Sequence, residues 1–334
     1  MPRRRKGQER GARIATGVAA AFLLATFAPP VDAPPDARPA DTVLRADPVP
    51  LDEADPARRR LGGLVFLEGW RLSSRDVRFG GLSAMHVDGG AVLGLSDAGA
   101  LFRFPLPRGA GELPLNIVRV PQGPGSGRSK SDRDGEALQV AGGSAWVAWE
   151  GRNAIWRYRR TDFAAEAKAS PREMRRWRWM SGPEAMARLA DGRFLILAEG
   201  PAAADGTAPA LLFEGDPAVA GTRVATLRHR PPAFYRATDA AQLPDGRLLI
   251  LNRRFGALSG FSAVLTVADP GGLRPGATIA PRMLAEFKGS VTADNLEALS
   301  VTREGGRTIV WLASDDNFNP LMQRTLLLKF ALAE

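Results

Sequence analysis

Asp134-Gly-Glu136-Ala-Leu-Gln-Val-Ala-Gly142-Gly143-Ser-Ala145-Trp-Val-Ala-Trp-Glu150 reads as two short apolar strands joined by a glycine turn, with a carboxylate at each open end. A run of this length, with β-branched and aromatic residues around a tight turn, predicts a β-hairpin. The same pattern returns along the chain. Ser83 leads to Gly89-Gly90 and Asp97, Glu184 to Asp191-Gly192 and Glu199, Asp239 to Asp245-Gly246 and Arg253, and Glu297 to Gly305-Gly306 and Asp315. The starts at 83, 136, 184, 239 and 297 leave room in each unit for four strands. That is the size of one propeller blade. The Gly-Gly and Asp-Gly pairs suit type I′ turns, which need positive φ at both central residues.

The reading is therefore all-β: a β-propeller of four-stranded blades, five by repeat count. Six blades stay open if a divergent unit hides in 255–290. The fifth unit has strands near 296–302, 308–313 and 325–330, and then lacks a fourth. Leu64-Val-Phe-Leu-Glu-Gly-Trp70 precedes the first unit without a partner. It is expected to close the ring as the outer strand of the last blade, which removes two open edges. The propeller domain is expected over 61–334.

Upstream, Arg3-Arg4-Arg5-Lys6 followed by the apolar run Ile14 to Ala28 reads as a signal peptide over 1–33, too short for a comfortable bilayer span. Residues 34–60, rich in Pro, Ala, Asp and Arg, read as a disordered linker. The expected location is periplasmic or secreted, with no stable membrane span after cleavage. The formal net charge is +9, but the basic residues are dispersed, which argues against a nucleic-acid partner. No cysteine and two histidines exclude disulfides, thiolate metal sites and a three-histidine zinc centre. A monomer is expected.

Chemistry is expected where the repeats converge. Inner strands line the channel of a propeller, so equivalent positions face one another. Glu136, Glu184, Asp239 and Glu297 share one repeat position, with Ser83. Asp97, Glu150, Glu199 and Asp315 share a second, with Arg253 in the fourth unit. Gathered carboxylates repel and raise one another's pKa unless a cation intervenes. Oxygen ligands alone select Ca²⁺ or Mg²⁺. Each carboxylate taken singly also has a plain structural role, bonding backbone N–H groups of the next blade. Gly123-Pro-Gly-Ser-Gly127-Arg-Ser-Lys130 lacks the ending of a phosphate loop and reads as an ordinary loop. His86 reads as packed and His229 as part of a basic loop. Arg175-Arg176-Trp177-Arg178-Trp179 reads as an outer strand.

The five segments around Leu82-Ser83-Ala, Asp134-Gly-Glu136-Ala, Gly182-Pro-Glu184-Ala, Thr238-Asp239-Ala and Asn295-Leu-Glu297-Ala, each with its second-strand end, resemble the phytase-like family, "esterase-like activity of phytase". The resemblance implies a propeller-like domain and phosphoesterase chemistry carried by the recurring acids. On that basis Glu136, Glu184, Asp239, Glu297 and Arg253 are the candidate catalytic residues. Asp97, Glu150, Glu199, Asp315 and Asp316 are candidate ligands of Ca²⁺, and Arg152, Arg254 and Asn317 candidate substrate contacts. The ligand would be a small phosphate ester or another anionic molecule. A lactonase-like ester hydrolase and a non-catalytic propeller binding a ligand or an envelope partner are the alternatives. Two departures stand out. Asn252-Arg253 replaces the family's usual Glu-Arg, which reads as the loss of one carboxylate, and Asp316 stands where Asn is common.

Overall fold

The computed structural model describes residues 42–126, 132–177, 182–199, 203–269, 271 and 273–333. The signal-peptide segment 1–33 lies outside them. Among the described residues no helix is long and apolar enough to cross a membrane.

The described residues form five sheets, antiparallel apart from one two-residue edge strand. Blade one is Leu82–Asp88, Ala91–Ser96, Ala100–Pro105 and Asn116–Arg119. Blade two is Gly135–Ala141, Ser144–Trp149, Ala154–Arg159 and Ala165–Ala169. Blade three is Pro183–Arg188, Phe194–Ala198, Ala208–Phe213 and Val224–His229. Blade four is Arg236–Gln242, Leu248–Gly256, Gly260–Ala268 and Arg282–Phe287. Blade five is Asn295–Glu304, Arg307–Asp315, Thr325–Leu332 and Leu64–Ser74. The segment 255–290 holds no sixth blade. It completes blade four and adds Thr278–Ile279 to the edge of blade three.

The ring closes as the missing strand requires. Thr325–Leu332 pairs antiparallel with Leu64–Ser74, from Thr325 opposite Leu72 to Leu332 opposite Leu64. Five apolar clusters follow, one in each gap between neighbouring blades. Trp311 and Ile309 of blade five pack with Leu82 and Phe102 of blade one, so the last gap is as dry as the others. Each sheet buries both faces only because it has a neighbour on either side.

Residues 42–60 differ from the expected linker. Val43–Pro48 forms a strand that pairs with Leu64–Ser74 and, on its other edge, with Gly111–Pro114 from the outer loop of blade one. Leu44 and Ala46 alternate into the core while Val43 and Arg45 face solvent. That period of two is too short to stand out among prolines and charges. The turns also differ in part. Gly89-Gly90 and Gly305-Gly306 have positive φ at both positions, as a type I′ turn needs. At Asp191-Gly192 and Asp245-Gly246 only the glycine is left-handed, and Leu189 and Leu243 each bond across a five-residue loop. These are type I turns ending in a glycine bulge.

His229 ends the fourth strand of blade three instead of lying in a loop, and it is fully buried with no hydrogen-bond partner for either ring nitrogen among the described residues. Burial pushes its pKa down to about 4 from 6.5. Unfolding lets it take up a proton between those values, so its share of the stability is present above pH 6.5 and lost as pH falls towards 4. His229→Leu should flatten the pH–stability curve over that window relative to the parent, by roughly 3 kcal/mol at pH 4. Parallel urea titrations at pH 7 and pH 4 measure the difference.

Candidate functional site

Every blade carries the same defect in its innermost hairpin. Pairing skips one residue of the first strand at Ser83, Glu136, Glu184, Thr238 and Glu297. A bulge of this kind re-aims one side chain out of the pleat. It places three glutamates and two hydroxyls at one level of the ring.

The fourth blade corrects the sequence register. Its bulge is Thr238, not Asp239. Asp239 turns into the gap between blades four and five, where its carboxylate accepts the backbone N–H groups of Ala240 at 2.8 Å and Leu299 at 2.7 Å. Burial raises its pKa well above the usual range, and those two N–H groups offset part of the rise. Thr238 and Ser83 do parallel work: their hydroxyls donate to Leu296 O and Gly135 O, each just before the bulge of the next blade.

A second level is made by Asp97, Glu150 and Glu199, which follow their second strands, and by Arg253 and Asp315 at the equivalent positions of the longer second strands of blades four and five. A third recurrent position, two residues before the bulge, is Gly81, Asp134, Gly182, Arg236 and Asn295. The sequence reading missed Asp134, Arg236 and Asn295. Their common offset from the bulge is the signal that finds them.

These positions meet. Oxygens of Asp134, Glu136 and Glu150 lie within 4.8 Å of one another, as do those of Glu150, Glu184 and Glu199. Glu150 belongs to both trios. It also accepts the Gly182 N–H at 3.3 Å. Burial and Glu199 raise its pKa, while that N–H and its contacts with Glu184 and Asp134 work against the rise. Burial, then Glu184, Asp134 and Glu150, push Glu136 well above the ordinary carboxylate range. Burial, then Glu199 and Glu150, do the same to Glu184. Asp315 is raised by burial and by Glu297 and Asp97.

Arg253 is the counterweight. Its Nη2 donates to Glu199 at 3.2 Å and its Nη1 to Asn295 Oδ1 at 3.0 Å, and its Nε lies 3.2 Å from Glu297 Oε1. Asn295 donates in turn to Glu297 at 2.8 Å, and Arg236 reaches Glu199 from the rim at 3.4 Å. Burial works against the guanidinium charge, but Glu297, Glu199, Glu184 and Glu136 outweigh it and hold Arg253 charged. The site is thus lopsided. Blade two offers three acids, and blade four offers Arg236, Thr238 and Arg253.

Other expected residues lie elsewhere. Arg152 pairs with Asp132 at 2.6 Å. Asp132 also accepts Ser126 N–H and hydroxyl, so a carboxylate sits against the glycine loop where an anion would have to. Arg254 faces away from Arg253 and lies over the Phe234 ring at 5.4 Å. Asn317 touches the cluster only through its backbone N–H, 2.7 Å from Asp315, while its amide donates to Gln323. Asp316 accepts Gly81 N–H and Phe318 N–H, which ties blade five to blade one. Asn252 is fully buried among Ile250, Val264 and Thr266. Its place is inside the blade, so its exchange takes no carboxylate from the channel. Arg172–Arg176 is a 3₁₀ turn and not an outer strand, and Trp177 is buried after it. Arg178 and Trp179 lie outside the described residues.

No match is found among curated proteins. A family model does match, over residues 77–318, with the description "Phytase-like: Esterase-like activity of phytase". That span runs from the start of blade one to the loop after Asp315, through all five bulges. With most of the chain in register with that model, the protein belongs to the phytase-like family.

Proposed function

We propose that this chain is an exported, Ca²⁺-dependent hydrolase of phosphate esters, working at the acidic end of the propeller channel. The family supports esterase or phosphatase-like activity in general. The observation that carries the narrower reading is Glu150, whose carboxylate is common to two trios. Three oxygens within 4.8 Å of one another lie no more than about 2.8 Å from a common point, a small side-chain shift from the roughly 2.3–2.6 Å that Ca²⁺ takes. The donors are all carboxylate oxygens, which suits a hard cation. Asp134, Glu136 and Glu150 are the better holders, because Glu199 of the other trio is already bonded by Arg253 and Arg236. When bound, the cation polarises a phosphoryl oxygen and lowers the pKa of water.

The chain's own groups do the rest. Arg253, rigidly held on blade four, faces the acidic blades and is placed to take a phosphate oxygen. Arg236 extends that grip from the rim. Glu184 touches Glu150 on one side and feels Arg253 on the other, which puts it between the two halves of the site. It is placed to take the proton of the attacking water or to give one to the leaving oxygen. The water oxygen bonds phosphorus, the ester P–O bond breaks, and the alcohol oxygen leaves with a proton.

A non-catalytic ligand-binding propeller is the second reading. It is favoured by the fact that Arg253 already has two carboxylate partners. Elemental analysis of protein purified without chelator, then a panel of phosphomonoesters, phosphodiesters, carboxylic esters and lactones, separates them. The expected result is Ca²⁺-dependent release of phosphate. No Ca²⁺ or Mg²⁺ binding at millimolar concentration, with no phosphoester cleaved, leaves the binding propeller. The basic, apolar N-terminus supports export and the closed ring supports a monomer. Cell fractionation and size-exclusion chromatography with light scattering check both.

A further inference from the structure

We infer that the face around the acidic mouth of the channel docks on an anionic lipid surface, with apolar loop tips entering the interface and exposed arginines meeting the headgroups. The inference goes beyond the hydrolase reading and does not depend on it.

Strand direction assigns each loop to a face. Loops between second and third strands, and those joining one blade to the next, open on the face of the axial acids. Turns between first and second strands, and loops between third and fourth, open on the other. The three most exposed large apolar side chains among the described residues all lie on the acidic face: Leu258 is fully exposed, Leu321 is 96% exposed and Phe234 84%. Leu258 tips the blade-four hairpin, whose strands run on past Arg253 to a turn at Gly256 and Gly260 and so stand proud of the ring. Leu321 lies in the loop between Asp315 and Thr325, and Phe234 in the loop entering blade four. Phe234 is also left-handed, with φ 69°. A bulky residue adopts that conformation at a cost, and the ring gains no burial in return. Single projecting side chains do not make the closely packed apolar patch of a protein interface. They suit a deformable lipid boundary, as in interfacial anchors.

Charge points the same way. Arg75, Arg175, Arg176, Arg230 and Arg254 are exposed on this face, and none of them forms an ion pair among the described residues. Asp205 is the one exposed acid among the described residues of the same loops. The opposite face differs, because its turns cancel their own charges: Asp88 pairs with Arg160 at 2.8 Å, Asp191 with Arg193 at 2.8 Å and Asp245 with Arg247 at 2.6 Å. Uncompensated arginines beside apolar tips attract anionic headgroups and hold the tips at the surface. The chain also enters the fold here. Leu44 lies opposite Ser74, and Leu72 opposite Thr325, so Val43–Pro48 starts at the acidic face, downstream of the apolar run Ile14 to Ala28.

The chain has no cysteine, so Leu258→Cys gives a unique point for an environment-sensitive dye. Full-length labelled protein is mixed with phosphatidylcholine vesicles, with and without phosphatidylglycerol. The dye should shift to the blue on the vesicles that contain phosphatidylglycerol. A dye on Val219→Cys, in the loop 214–223 of the opposite face, should not shift. Replacing Arg175 and Arg176 together by Gln should weaken binding to the anionic vesicles about tenfold, and raised salt should act in the same direction. Phe234→Ser should weaken it about tenfold as well, with no loss of melting temperature, because the ring is unburied. No shift at position 258 on anionic vesicles would leave these tips to a protein partner and overturn the inference. An equal shift at position 219 overturns it too, as does binding that neither the arginine pair nor Phe234→Ser weakens.

Discussion

Glu150→Gln abolishes the response of melting temperature to Ca²⁺ and lowers phosphoester turnover at least ~100-fold. The parent protein should melt higher as Ca²⁺ is added, because an ion that binds only the folded state stabilises it by mass action, about 2.7 kcal/mol at a hundred times Kd. For a domain of this size that is roughly 4–5 °C. Glu150 is the carboxylate that both trios need, so its charge cannot be replaced from a neighbouring blade. The ion-free variant should be no less stable than the parent, since one of several buried like charges has gone. Asp239→Asn is the contrast. It puts an amide NH₂ against Ala240 N–H or Leu299 N–H, costs about 1–3 kcal/mol, and leaves the Ca²⁺ response intact. Scanning calorimetry with and without Ca²⁺ reads all three proteins. A full calcium shift in Glu150→Gln would remove the metal reading.

Arg253→Met has the largest expected effect on the fold itself. The substitution keeps the bulk of the side chain and deletes the charge that Glu199 and Glu297 share. Removing one partner of a buried pair costs about 3–5 kcal/mol, because the remaining carboxylates are left unpaired. The loss should be greatest in ion-free protein at pH 7.5. It should shrink towards pH 5, because Glu297, Glu184 and Glu136 titrate above the ordinary range and take up protons first. The sign follows from linkage: carboxyls whose folded pKa is raised bind protons before the unfolded chain does, so lowering pH favours the folded state in that window. Calcium should restore part of the loss by the same neutralisation. Urea midpoints at the two pH values, with and without Ca²⁺, give the four numbers needed. A variant as stable as the parent at pH 7.5 would mean that Arg253 does not hold the cluster together.

The strand–turn–strand unit, its five-fold recurrence and the closing role of Leu64–Trp70 are all legible in the sequence, because each rests on local alternation and on counting edges. The axial acids at Glu136, Glu184 and Glu297 are legible too, since a repeat fixes equivalent positions. The fourth blade is not. Thr238 and Asp239 are adjacent and both polar, and a one-residue slip exchanges which of them enters the channel. Only the bulge, set by pairing of Ala237 with Asn252 and Asp239 with Leu251, settles it. The same holds for Asn252, which stands beside Arg253 in sequence and on the opposite face in space. Arg236 and Asn295 were hidden because their importance lies in what reaches them from other blades, Glu199 and Arg253, and Asp134 because its partner Glu150 comes from the far end of its own hairpin. The sequence by itself determined the repeat, five units by count with a sixth left open, and how the ring is tied. Which side chains share the channel was decided only by the tertiary structure, because a bulge redirects a residue according to its partner strand, and a charge acquires its pKa from neighbours that no local pattern records.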